Sequence, residues 1–396
     1  PKYEEEWAQV DSLLNIGLPK SALAIVEEIY EDAKKNDNND QILKSYVYRL
    51  KLRNQYEEYA FEDLIYELEA DVKTAKYPTN AVMHSMLAEM YWMYYQSNRW
   101  QIQERTNIYN YKPDDIQTWT LDNMIDASIK HYSLSLEDAE KLKQTSIKVY
   151  DEIITWGDKP EELRPTLYDF LAHRAIDFYS NSEITLTRPA EYFELKEDFY
   201  FSDLKTFATK NIKSNDTLSL HYNGILILQD LLQFRKTRIT ETAALIDAEL
   251  KRLQYVYGFS VNPDKETLYF NALSKLKETY KDDDHCSEIL YYLASFYSAK
   301  AALYNPNNED TKKYKNYKTE AHKLCEEIIK KYPKSEAADK ALALKYQIET
   351  HSIAFNTEKV IIPSKKFPCL VNYQNIEKLH IKVVSIDREK YKDLAE

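Results

Sequence analysis

Asp169, His173 and Asp177 stand at i, i+4 and i+8, a spacing that places three side chains on one helix face about 12 Å long. Neighbouring members could hold a metal in pairs or serve as a carboxylate site for hydrolysis. The plainer reading, taken here, is a His held between two carboxylates as an electrostatic ladder. Asp282, Asp283, Asp284 and His285 also combine metal-ligating types, but they fit the acidic N-terminal end of a helix with an Asp as N-cap. Cys325 shares an apolar stripe with Ala321, Leu324 and Ile328, with no His nearby beyond His322, and reads as a buried, inert thiol. The densest aromatic cluster is Tyr91, Trp92, Tyr94, Tyr95 and Trp100, joined by Arg99 and Arg105. Rigid aromatics beside Arg make binding hot spots for peptides or sugars, so Tyr91, Trp92, Tyr95, Arg99 and Trp100 are the candidate binding residues. Core packing is the competing reading, because a helix with aromatics on several faces is usually buried between neighbours.

The common catalytic signatures are missing. Gly17, Gly157, Gly224 and Gly258 are too far apart for a dinucleotide fingerprint or a phosphate loop. Neither HExxH nor GxSxG occurs. The expectation is therefore a non-enzyme with no catalytic residues, no metal and no cofactor.

Composition points to the elements that carry these residues. Four glycines in 396 residues is about 1%, against a usual share of roughly 7%. Sheet enzymes and all-β proteins need glycine for tight turns and phosphate loops; a helical chain needs little. Tyr is abundant at 34 residues, and the net charge of −12 gives no footprint for nucleic-acid binding. Cys286, Cys325 and Cys369 are an odd number without CxxC pairs, which excludes a disulfide framework. The longest apolar stretch, Ile225 to Phe234, is interrupted by Gln229, Asp230 and Gln233 and is too short to span a bilayer. A start at Pro1 without an initiator Met reads as a processed or trimmed N-terminus and leaves a removed signal peptide open.

Helical periodicity runs from about residue 3 to residue 354. Trp7, Val10 and Leu14 form a first stripe ended by Gly17 and Pro19. Further stripes cover 40–53, 58–75, 81–100, 121–133, 144–156, 165–181, 215–234, 238–257, 264–280, 285–304, 317–332 and 335–350. Irregular stretches interrupt them at Thr106 to Thr118 and at Asn181 to Lys196, the second containing Pro189. The second reads as a connection between an N-terminal helical lobe, 1–181, and a second lobe, 182–356. After Asn356 the pattern changes. Phe367 to Tyr373 and Leu379 to Ile386 alternate like strands, with Gln374 to Lys378 as a hairpin loop. Residues 357–396 are expected to open a truncated β domain, since two strands cannot bury a core alone.

A degenerate internal repeat underlies the helices. Leu290, Leu293, Ala294 and Tyr297 match the first helix of a tetratricopeptide unit, and Ala321, Cys325, Ile328 and Pro333 match the spacing of the second. Leu87-Ala88-x2-Tyr91 and Leu342-Ala343-x2-Tyr346 repeat the first-helix signature. Small residues at the crossing let paired helices approach while the aromatic fills the next groove. The expected fold is mainly α: a tetratricopeptide-like α/α superhelix followed by the first strands of a β-sandwich domain.

Several stretches resemble large α-2-macroglobulin-family proteins of Bacteroidetes-type bacteria. They are Tyr3 to Trp7 with Leu18 to Ala22, Ala88 to Trp92 running into Asn98 to Trp100, and Leu163 to Ala172 with His173 to Asp177. The tail, Asn372 to Asn375 leading into Leu379 to Val383, looks like the opening hairpin of a macroglobulin-type domain. The resemblance implies an exported protein, periplasmic or anchored at the outer membrane, that traps or senses proteases and sets a helical region before β-sandwich domains. Its trapping thioester needs Cys-x-Glu-Gln, and none of the three cysteines has that sequence after it, so the trap would lie outside this chain. The expected role is a non-enzymatic scaffold whose partners are proteins: the downstream β domains and proteases. The alternatives are a glycan-binding outer-membrane protein with similar helices and, from a third class, a helical hydrolase using Asp169 and Asp177.

Overall fold

In the computed structural model the described residues are 3–55, 59–105, 114–151, 153–154, 160–181, 192–216, 219–358, 362 and 365–382. The described residues are 68% helical, about twice the share of an ordinary globular protein. The helix-dominated expectation therefore holds. Residues divide by packing into two compact units, Pro1–Lys275 and Leu276–Glu396. The positions 181/182 and 356/357 read from the sequence fall inside these units, and residue 182 lies outside the described residues.

The first unit opens with α1 (Glu4–Asn15), α2 (Pro19–Lys35) and α3 (Asn39–Arg53). Gly17, at φ +74°, ends α1: the Leu18 amide donates to the Leu13 carbonyl at 2.9 Å and that of Gly17 to Leu14 at 3.1 Å. Those two bonds need a left-handed residue, which glycine supplies without Cβ strain. Pro19 then starts α2 where a missing N–H costs nothing. Trp7, Val10, Ala22, Val26 and Ile29 close the core between α1 and α2.

Next come α4 (Ala60–Asp71), α5 (Thr79–Ser97), α6 (Arg99–Gln103) and α7 (Leu121–Ser135). Helix α5 is apolar on nearly every face and is buried accordingly, packing against α4 and most extensively against α7. Thr120 caps α7 in a reciprocal box with Asn123. The short α8 (Ala139–Leu142) and α9 (Pro160–Leu163) precede α10 (Leu167–Tyr179). Between them, the stripe read over 144–156 is not an α-helix: its described part holds only a 3₁₀ turn at Ile147–Tyr150. Thr145, Ile147, Val149 and Ile153 are β-branched, and a bridge from Ser146 to Thr166 ties this stretch to the entry of α10. The unit continues through α11 (Leu204–Thr209), α12 (Leu220–Thr237) and α13 (Thr242–Phe259), and α14 (Lys265–Thr279) runs across the division.

The second unit contains α15 (Cys286–Ala301), α16 (Tyr317–Lys331) and α17 (Glu336–Glu349), each packed on the other two. Cys286, Leu290, Ala294, Cys325, Ile328, Tyr332, Ala337, Ala338 and Ala341 form its core. Two strands follow, β1 (Ser352–Thr357) and β2 (Cys369–Gln374), paired antiparallel with Ile353 opposite Tyr373 and Phe355 opposite Val371. The sheet corrects the expected hairpin in two ways. The partner of the segment around Cys369–Gln374 is Ser352–Thr357, which precedes it, and β structure begins before residue 357. Residues 379–382 are not in a strand, and 383–386 lie outside the described residues. Ser352 to Thr357 reads Ser-Ile-Ala-Phe-Asn-Thr, where Ala354 breaks the alternation, and it follows closely on α17, so a period of two is hidden.

Candidate functional site

Thr166 caps α10: its hydroxyl donates to Asp169 Oδ2 at 2.6 Å and accepts from the Asp169 amide at 3.3 Å. Arg235, on α12, donates from Nη2 to the same carboxylate oxygen at 2.8 Å. Burial pushes the Asp169 carboxyl above its ordinary value against the opposing pull of Arg235. One turn on, His173 Nδ1 lies 2.8 Å from the Asp169 main-chain carbonyl, not from its carboxylate. His173 Nε2 stands 3.1 Å from Asp247 Oδ2 on α13. Arg164 reaches the same oxygen at 3.2 Å. Burial raises the Asp247 carboxyl, but His173 and Arg164 together hold it below the usual carboxylate range. Asp177 is paired with Lys251.

The i, i+4, i+8 ladder therefore does not form. Each carboxylate turns to a cation on another helix because the permanently charged Arg and Lys side chains outcompete the imidazole one turn away. His173 is 2% exposed, so substrate has no approach to it. The arrangement fastens α10 to α12 and α13. Among the described residues no group of three or more His, Cys, Asp or Glu side chains is placed to hold a metal ion.

The aromatic candidates separate. Tyr91, Trp92 and Tyr95 are buried in α5. Tyr91 stacks on Trp119 with centroids 5.3 Å apart and its hydroxyl donates to Glu69. Trp92 meets Phe178 edge-on at 5.5 Å, and the Tyr95 hydroxyl accepts from Gln103 at 3.0 Å. These three rings are core, and they offer a ligand no face. Arg99 is half-buried on α6, and its neighbour Trp100 is 81% exposed.

At the start of α15 the capping residue is His285, without a side-chain cap bond. Asp283 accepts instead from the His285 amide at 2.8 Å and faces its Nδ1 at 3.1 Å. The acidic run thus closes the turn before the helix rather than its first turn. Cys325 is fully buried, and burial pushes its thiol up to about 11; such a thiol is inert at neutral pH. Cys286 is raised for the same reason.

Sequence reasoning passed over the buried charges Arg235, Arg252 and Glu249, and the pair His84 and His131. A signal was available for two of them. Arg235 continues the apolar row Leu228, Leu231, Leu232, and His131 continues the row Met124, Ala127, Ser128, so both point into the core from a helical face.

An uncovered apolar surface of the second unit lies on its sheet. Ile353, Phe355 and Tyr373 share one face through the observed register and are 40%, 49% and 67% exposed. Gln374, from the opposite face, anchors the sheet by donating to the Ile348 and Thr350 carbonyls at the end of α17 at 3.1 and 3.2 Å.

The chain matches no family model, and neither curated proteins nor solved structures give a significant match. No helix among the described residues is long and apolar enough to cross a membrane.

Proposed function

We propose that the chain is a non-enzymatic helical scaffold that presents its C-terminal sheet to further β structure of a protein, in keeping with the helical region that precedes β-sandwich domains in the α-2-macroglobulin-like proteins it resembles. The observation that carries this reading is the open face of Ile353, Phe355 and Tyr373 on a sheet that has two strands among the described residues. Two strands are marginal in water; a third strand would pair with an edge, and a layer packed on the sheet would bury that face. The three-helix core around Leu290, Cys325 and Ile328 supports the tetratricopeptide-like description of the body. The burial of Tyr91, Trp92 and Tyr95 removes most of the surface on which a glycan-binding reading relied. Protease trapping, export and an outer-membrane anchor belong to the same proposal and stand on the resemblance alone.

Reading the coding sequence past position 396 tests it. The proposal expects strand-rich sequence leading to a Cys-x-Glu-Gln thioester motif. A stop codon at that point, or a following domain without strand periodicity, contradicts it.

A further inference from the structure

Across the α5–α7 interface, His84 Nδ1 and His131 Nδ1 stand 3.0 Å apart, with ring centroids at 5.1 Å. That distance fits an N–H···N hydrogen bond and is too short for a carbon in either place. One nitrogen donates and the other must be a bare acceptor. We propose that this pair is an acid-sensitive latch on the α5–α7 packing: one shared proton closes it, and protonation of both rings opens it.

The proton count gives the sign. Two neutral rings make the bond, and one added proton leaves it intact as imidazolium to imidazole. A second added proton sets two N–H groups and two positive charges against each other. The surroundings favour opening. Lys130 on α7 adds positive potential, and burial together with Lys130 holds His84 below its ordinary value. From α10, Arg174 donates to Ser85 Oγ beside His84 at 2.8 Å. Of the carboxylates nearby, Glu89 is paired with Arg174, and Glu69 on α4 accepts from the Tyr91 hydroxyl. The Tyr91 ring lies 5.6 Å from His131, so opening the latch would also disturb its stack on Trp119.

Imidazole NMR of the intact chain decides the matter without any variant. Two of its eight histidines should titrate as a coupled pair with steps separated by more than about one pH unit, a tenfold ratio in proton affinity. Eight independent single steps would overturn the proposal. Hydrogen exchange gives the structural reading. Between pH 7.5 and 5, after correction for intrinsic rates, peptides from α5 and α7 should exchange about tenfold faster relative to α12 and α13. His84→Asn, which keeps an amide beside His131 and removes the charge, should abolish that excess. An equal acceleration in all four helices, or the same excess in the variant, would also overturn the latch.

Discussion

Arg235, with no solvent exposure, donates to the Asp169 carboxylate at 2.8 Å and so joins the middle of the first unit to the first turn of α10. Neither charge has water to fall back on. Arg235→Met should therefore cost about 3–5 kcal/mol, because it strands a buried carboxylate. A double variant, Asp169→Leu with Arg235→Met, should lose less than the two single variants together. Urea denaturation of the four proteins measures both statements.

Asp71 closes α4 and accepts from Tyr46 at 2.6 Å and Lys34 at 2.7 Å, and also from Tyr30. Burial raises this carboxyl, yet Lys34 and the two phenols hold it below its ordinary value. A carboxylate lowered in the fold contributes stability above its unfolded pKa and loses it as pH falls through the folded value. Asp71→Ala should cost about 2–4 kcal/mol at pH 7 by leaving two buried phenols without their acceptor. The difference from wild type should shrink as the pH drops below about 4. Thermal melts at pH 7 and pH 3.5 check this.

Gly224 has Tyr255 and Tyr179 directly above it: an added Cβ would fall 2.7 Å from Tyr255 Cζ and 3.0 Å from Tyr179 Cβ. Tyr255 is itself held by donating to the Tyr179 carbonyl at 3.1 Å. Gly224→Ala should destabilise by about 1–3 kcal/mol through overpacking, although Ala is the better helix former. Chemical denaturation of the variant would show a gain in stability if the α12–α13 contact could yield.

How far the sequence could carry the reading follows from the same residues. Period and composition suffice for α1, α2 and α10, where Gly17, Pro19 and Thr166 sit at the boundaries their chemistry demands. Spacing along one helix could not reveal that Asp169, His173 and Asp177 each face a different partner, because Arg235, Asp247 and Lys251 come from elements 66 to 74 residues away. Tyr91, Trp92 and Tyr95 left the surface for a similar reason, while Trp100 stayed on it: whether a ring on α5 is buried depends on α4, α7 and α10, which the local pattern does not contain. Strand β1 was missed because a period of two over six residues is short beside the helix that runs into it.

Phe355→Asp and Tyr373→Asp, separately, should leave the thermal midpoint within about 2 °C of wild type, since an exposed side chain has little burial to lose. Ile328→Ala, in the α15–α16 core, should cost about 2–4 kcal/mol by contrast. A melt in which the sheet variants fall as far as Ile328→Ala would mean that the open face is covered.

Amide hydrogen exchange of β1 and β2 in the isolated chain tests the scaffold account most directly. A sheet waiting for further β structure should open locally, so its amides should exchange at least about a hundredfold faster than those of α15 and α16. Protection of Ser352–Thr357 and Cys369–Gln374 equal to that of the helical core would show a sheet already complete, and would contradict the account.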